Sequence, residues 1–137
     1  MGNNVNDTLQ LVRRILIEKL SLQNYVGGRV YTTHFIDYDA KTTPMPLVVL
    51  EFAGGTANYG MNAQRVSLRV YTYSDKSSSE AAAIYNIVYD VLNGGVLKHS
   101  SITLSGYGYE VSRPYSGFND QVRGWYYTGT FIINSAG

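Results

Sequence analysis

Apolar residues recur every three or four positions near the start of the chain, at Leu9, Val12, Leu16 and Leu20, with Ile15 and Lys19 beside them. That spacing predicts an amphipathic helix. Asp7 stands where an N-cap would accept from the first free amides. The segment NYVGG closes the pattern, because Gly27 and Gly28 can take the left-handed geometry of a helix exit. The period then drops to two. RVYTTHFI, from Arg29, reads as a β-branched and aromatic strand, and PLVVLEF, from Pro46, as a second whose unbroken apolar run implies burial on both faces. From Gln64 to Tyr73 the alternation is clean, with Val66, Leu68 and Val70 on one side and Arg65, Ser67, Arg69 and Tyr71 on the other.

The period returns to 3.6 after SSSE, a capping box in which Ser77 accepts from the Glu80 amide while Glu80 reaches back. Ala81, Ile84, Val88 and Val91 form the stripe of this second helix, Ile87 and Leu92 widen it, and NGG at Asn93 to Gly95 ends it. Two further strands, ITLSGYGYEVSR and GWYYTGTFIIN, complete the chain. The predicted order is α-β-β-β-α-β-β. It defines an α+β fold, a twisted and largely antiparallel sheet with two helices on one face, and Leu9, Leu16, Ile84 and Val88 are expected between the layers. One domain, 1–137, is expected, with extended loops at about 36–46, 53–64 and 113–124. The middle one, in FAGGTANYGMNAQRV, is long enough to suggest a functional role.

Composition narrows the functional classes. A chain of 137 residues can bury roughly two-thirds of its unfolded surface, and with no cysteine its core must hold without disulfides or thiolate metal sites. Charged residues make up 15%, against about 25% in an average domain, and the net charge is only +1, so long-range capture of nucleic acid is not favoured. The polar surface must therefore come from Ser, Thr, Asn, Gly and 13 tyrosines, a residue type enriched where proteins meet but equally at home on a sheet. No apolar run reaches the roughly 18 residues of a membrane span, and MGNNVNDT has no signal-peptide pattern, so the chain is expected in the cytoplasm where it is made.

Candidate chemistry is sparse. His34 and His99 lie far apart and read as a strand and a loop residue. Asp37 and Asp39 form a DYD pair that most simply solvates a loop. GYGYE, from Gly106, lacks the lysine and following helix of a phosphate loop and reads as a strand kinked by glycine. No GxSxG elbow accompanies the serines. Neither catalysis nor a cofactor nor a metal is expected. Arg113 and Arg123 flank the third loop and most simply serve as solvated charge.

GGRVY, PMPLVVLEF, QRVSLRVYTYS leading into SEAAAIYNIVYDVLNG, and VSRPYSGFNDQVRGWYYTGTFII succeed one another in a pattern that resembles the tail-completion, or tail terminator, proteins of tailed phages and prophages, also known as head-to-tail joining proteins. The resemblance covers most of the chain after residue 27. It implies a virion protein, assembled in the host cytoplasm, that forms a homo-oligomeric ring of six copies at the head-proximal end of the tail. Such a ring stops tube polymerisation and docks to the head connector or neck. DNA passes its lumen without sequence-specific readout, and the role involves no cofactor and no membrane. Under this reading the middle loop orders against tail tube or a neighbouring copy through Tyr59 and Met61, with Arg65 at its far end. Tyr115, Phe118 and Arg123 of the third loop face a partner. A small-molecule-binding module, with an apolar pocket between sheet and helices, is the alternative from another class.

Overall fold

The computed structural model describes residues 5–32, 44–58, 63–112, 114–120 and 122–136. The first predicted helix is present but broken in two, α1 (Val5–Ile17) and α2 (Leu20–Val26). Asp7 lies inside the first turn of α1 rather than ahead of it. At the break, Lys19 donates its amide to the Leu16 carbonyl at 3.1 Å, and the Gln23 side-chain amide donates to the freed Ile17 carbonyl at 2.6 Å. The new axis turns Leu22 and Val26 into the core and leaves Leu20, which a continuous helix would have buried, 72% exposed. Gly27, at φ 60°, ends α2 as expected.

Strand β1 (Val30–Tyr31) is short and runs parallel to β2 (Leu47–Asn58). β2 turns back into β3 (Ala63–Ser74), which leads to helix α3 (Ser78–Leu92). β4 (Val96–His99), β5 (Ile102–Glu110), β6 (Tyr115–Asn119) and β7 (Gly124–Ala136) follow. The strands form one mixed, mostly antiparallel sheet in the order β1-β2-β3-β7-β5-β4, with β6 also paired to β7. It is an α+β fold. The third helix is the second half of the broken first one. β4 carries only one buried residue, Leu97, in four, too little alternation to be read from sequence.

All the described helices lie on one face of the sheet. Leu9, Leu11, Leu16, Leu22, Ile84 and Val88 meet Val48, Leu50, Leu68, Val70, Phe131 and Ile133 in a continuous core. On the other face Leu47 and Val49 join Tyr73 and Val122, which explains why the run from Leu47 to Leu50 is apolar without interruption. The α3 cap forms with a variation: Ser77 accepts from the Glu80 amide at 3.1 Å, but the Glu80 carboxylate accepts from the Ser74 hydroxyl at 2.7 Å instead of reaching back.

Two of the three long loops contain strand. β2 continues through Gly54 to Asn58, opposite Ser67 to Ala63, after a bulge between Phe52 and Gly54. β3 is in turn paired along its whole length to β7, from Ala63 opposite Ala136 to Ser74 opposite Trp125. Glycine at 54, with φ 124°, accommodates the bulge. The third loop contains β6, which continues the line of β5 on the same edge of β7. The first loop falls mainly in 33–43, outside the described residues.

GYGYE lies within β5, and its glycines serve close approach. A Cβ on Gly106 would meet the Asn134 carbonyl oxygen at 2.2 Å, and one on Gly108 the Leu92 carbonyl oxygen at 2.7 Å. Their absence lets β7 and the end of α3 close on β5.

Candidate interaction surface

The face of the sheet turned away from the helices carries Arg65 and Tyr115 of the candidate residues. Register alone assigns them: residues directly opposite one another in neighbouring strands share a face. Tyr73 opposes Tyr126, Tyr71 opposes Thr128, and Arg69 opposes Thr130 between β3 and β7. Tyr115 opposes Thr128 between β6 and β7, and Tyr107 and Tyr109 of β5 oppose Asn134 and Ile132. The outer face is therefore tyrosine-rich, with its rings in contact. Tyr71 and Tyr73 stack at 6.0 Å between centroids, Tyr126 tilts against both, and Tyr115 meets Tyr126 edge-on at 6.4 Å. Thr128 is buried beneath this row, and its hydroxyl has no protein partner among the described residues.

Arg69 joins the tyrosines. A hydrogen bond with the Tyr71 side chain, and then the nearby Tyr71, Tyr115 and Glu51 groups, hold its proton more firmly than usual. Glu51 sits directly across on β2, an opposite-charge cross-strand pair.

Of the residues singled out from sequence, Tyr115, Phe118 and Arg123 come together on the β6–β7 hairpin. Tyr115 is 58% exposed on the outer face. Phe118, three residues on, takes the opposite face and packs edge-on against Trp125 at 5.0 Å, yet remains 48% exposed. It is neither tucked under its own hairpin nor free of contact. Arg123 occupies the turn with φ 55°, the described non-glycine residue in the left-handed region. Arg65 is exposed on the outer face but lies six residues from Tyr71 along β3, about 20 Å at the usual rise per strand residue. It belongs to the far end of the sheet. Tyr59 and Met61 lie outside the described residues.

Sequence reasoning missed Tyr71, Tyr126 and Arg69 as neighbours of Tyr115. Their shared face could be read from alternation within each strand, but the pairing of β3 with β7 joins residues more than fifty positions apart.

Elsewhere the polar groups serve the fold. His99 ends β4 rather than lying in a loop. Its Nδ1 accepts from the Ser101 amide at 3.1 Å and lies 2.7 Å from the Ser101 hydroxyl, and its Nε2 pairs with the Glu18 carboxylate. The cluster fastens the end of α1 to the β4–β5 turn. His34, Asp37 and Asp39 are outside the described residues, and among those described no three His, Asp or Glu side chains gather to hold a metal. No described helix is long and apolar enough to cross a membrane.

No family model matches the chain, and no curated protein matches it. A solved structure does. A chain from the virion of a native gene transfer agent particle superposes with a TM-score of 0.62 over 92% of this chain and 92% of that one, at 16% sequence identity. Likeness at that identity defines a shared fold.

Proposed function

We propose that this chain is a structural virion protein and, within that class, a tail terminator. Copies close into a ring, six in number, at the head-proximal end of the tail, where they halt tube polymerisation and present a surface to the head connector. The observation that carries this reading is the likeness of nearly the whole chain to a chain of a virion particle. The succession of motifs from GGRVY to WYYTGTFII supports the finer assignment.

The physics of such an assembly suits this molecule. A heterologous interface closes into a ring when its rotation closes, and every copy then presents the same elements to one side. Modest contacts repeated around a ring combine by avidity. With little net charge and an outer face of tyrosine, threonine and arginine, the chain is suited to short-range protein contacts more than to long-range capture of phosphate.

The test is light-scattering mass with negative-stain microscopy at low and high concentration, followed by addition to purified tails that lack this chain. Closed rings near six subunits, or capping of the tails, is the expected result. A monomer at every concentration that also leaves the tails uncapped overturns the reading.

A further inference from the structure

Helix α3 hands over to β4 through Asn93, Gly94 and Gly95, and this exit is fastened to the last part of β5. The Gly94 amide donates to the Gly108 carbonyl at 2.7 Å, and the Asn93 side-chain oxygen accepts from the Glu110 amide at 2.9 Å. The Asn93 side-chain nitrogen donates in turn to the Tyr89 hydroxyl at 3.1 Å. Both ends of the Asn93 side chain are therefore held. Gly94, at φ 79°, makes the turn in a left-handed conformation that a side chain would strain.

The glycine that permits this turn also creates a chemical liability. Among the asparagines of the chain, Asn93 alone is followed by glycine. An asparagine side chain is open to attack by the next backbone nitrogen, and a glycine there places no Cβ in the way of ring closure. The Gly94 nitrogen gives its proton to solvent base and attacks Asn93 Cγ. The N–Cγ bond forms, the Cγ–Nδ2 bond breaks, and ammonia leaves with a proton drawn from water. A second water opens the cyclic imide at either carbonyl, to aspartate or to isoaspartate. Gly94 is exposed, so water and base reach it. Ring closure nevertheless needs a free Gly94 nitrogen and a side chain free to swing onto it, and the folded exit engages both.

We propose that Asn93 is a deamidation site, held closed by the hydrogen bonds of the α3 exit and opened when that exit leaves β5. The Gly94 amide and the Asn93 side chain are both bonded to β5, so one local opening frees the two reacting groups together. These bonds reach Gly108 and Glu110, beyond Tyr107, where the ladder of β4 on β5 stops. The exit can thus peel without unpairing β4. Conversion then loosens what held it. Aspartate keeps an acceptor for the Glu110 amide but loses the donor to Tyr89, and isoaspartate adds a methylene to the main chain, which shifts the Gly94 amide off the Gly108 carbonyl. Ammonia is lost to solvent, so the asparagine does not return. The proposal stands independently of the virion reading.

The test is peptide mass spectrometry of the full chain after incubation at mildly alkaline pH, folded and in denaturing urea, with conversion scored at every asparagine. In urea Asn93 is expected to convert ahead of the others, and in the folded protein at least about tenfold more slowly than in urea. Tyr89→Phe, which removes the acceptor of the Asn93 side-chain nitrogen, is expected to raise the folded-state rate about threefold or more and to leave the rate in urea unchanged. Gly94→Ala, measured in urea where folding plays no part, is expected to slow conversion at least about tenfold, because a methyl then hinders ring closure. Folded and denatured rates within about twofold of each other overturn the proposal, as does an Asn93 that outlasts the other asparagines in urea. An unchanged folded-state rate in Tyr89→Phe also overturns it, since the side-chain bonds would then not be the lock.

Discussion

Tyr85 shows how tightly single residues are specified. Its ring lies between Tyr127 and Phe131, its hydroxyl donates to Glu110 at 2.5 Å, and a Cβ on Gly129 would approach that hydroxyl to 2.0 Å. Gly129→Ala must displace the Tyr85 ring from a filled core, an overpacking that costs roughly 1–3 kcal/mol, to be measured as a lowered urea midpoint. Burial, and after it the hydrogen bond to Glu110, raises the Tyr85 phenol far above the ordinary tyrosine range. In the unfolded chain it ionises near its usual pKa of about 10. Its contribution to stability is therefore intact below about pH 10 and declines as pH rises further, because the unfolded state releases the proton first. Tyr85→Phe is expected to lower stability at neutral pH and to flatten the alkaline fall, which urea titrations at pH 8 and above pH 10 would show. Arg123 presents the opposite case, a side chain held in a left-handed conformation at the tip of the candidate surface. Arg123→Gly should relieve about 1 kcal/mol and raise the melting temperature. If the arginine contacts the tail, the same change weakens docking.

At the scale of elements, the period of the sequence located α3 and its stripe. Ile84 and Val88 are fully buried, and Ile84→Ala should cost about 2–5 kcal/mol by thermal or urea denaturation. Ser77→Ala, which removes the acceptor for the Glu80 amide, should cost about 1 kcal/mol. The first helix was legible as a helix but not as two, since Leu20 keeps the spacing that the break at Lys19 removes from the core. The glycine-rich stretch after Phe52 reads as a loop because its composition is that of one. Pairing with β3 supplies the extended geometry that its own residues do not favour. The same holds for YSGFN, where the ladder to β7 makes a strand of five residues with weak intrinsic preference. Deleting Gly54 to Ala63 would consequently remove part of the β2–β3 ladder rather than trim a surface insertion, and a lowered melting temperature is expected.

For the whole molecule, the outer face brings Tyr71, Tyr126, Tyr115 and Arg69 from three strands into one surface. Under the proposed terminator role, Tyr115→Ala should weaken binding to tails by fivefold or more, the effect of a contact worth at least about 1 kcal/mol, while the melting temperature changes little because the ring is more than half exposed. Arg65→Ala is expected to leave that docking unchanged, since it lies at the far end of β3. Under that same proposal, the pair of variants maps which end of the sheet docks.

The sequence by itself determined the α+β class, the helix stripe from Ala81 to Leu92, the two-sided burial of Leu47 to Leu50 and the aromatic character of the exposed strands. Each is a periodicity or composition that one segment carries alone. Tertiary structure decided the rest: the break between α1 and α2, the short β4, the strands within two of the expected loops, and the company kept by Tyr115. These depend on backbone pairing between distant segments. A residue's own neighbours in sequence say how it prefers to lie, whereas the strand across from it fixes which face it shares and with whom.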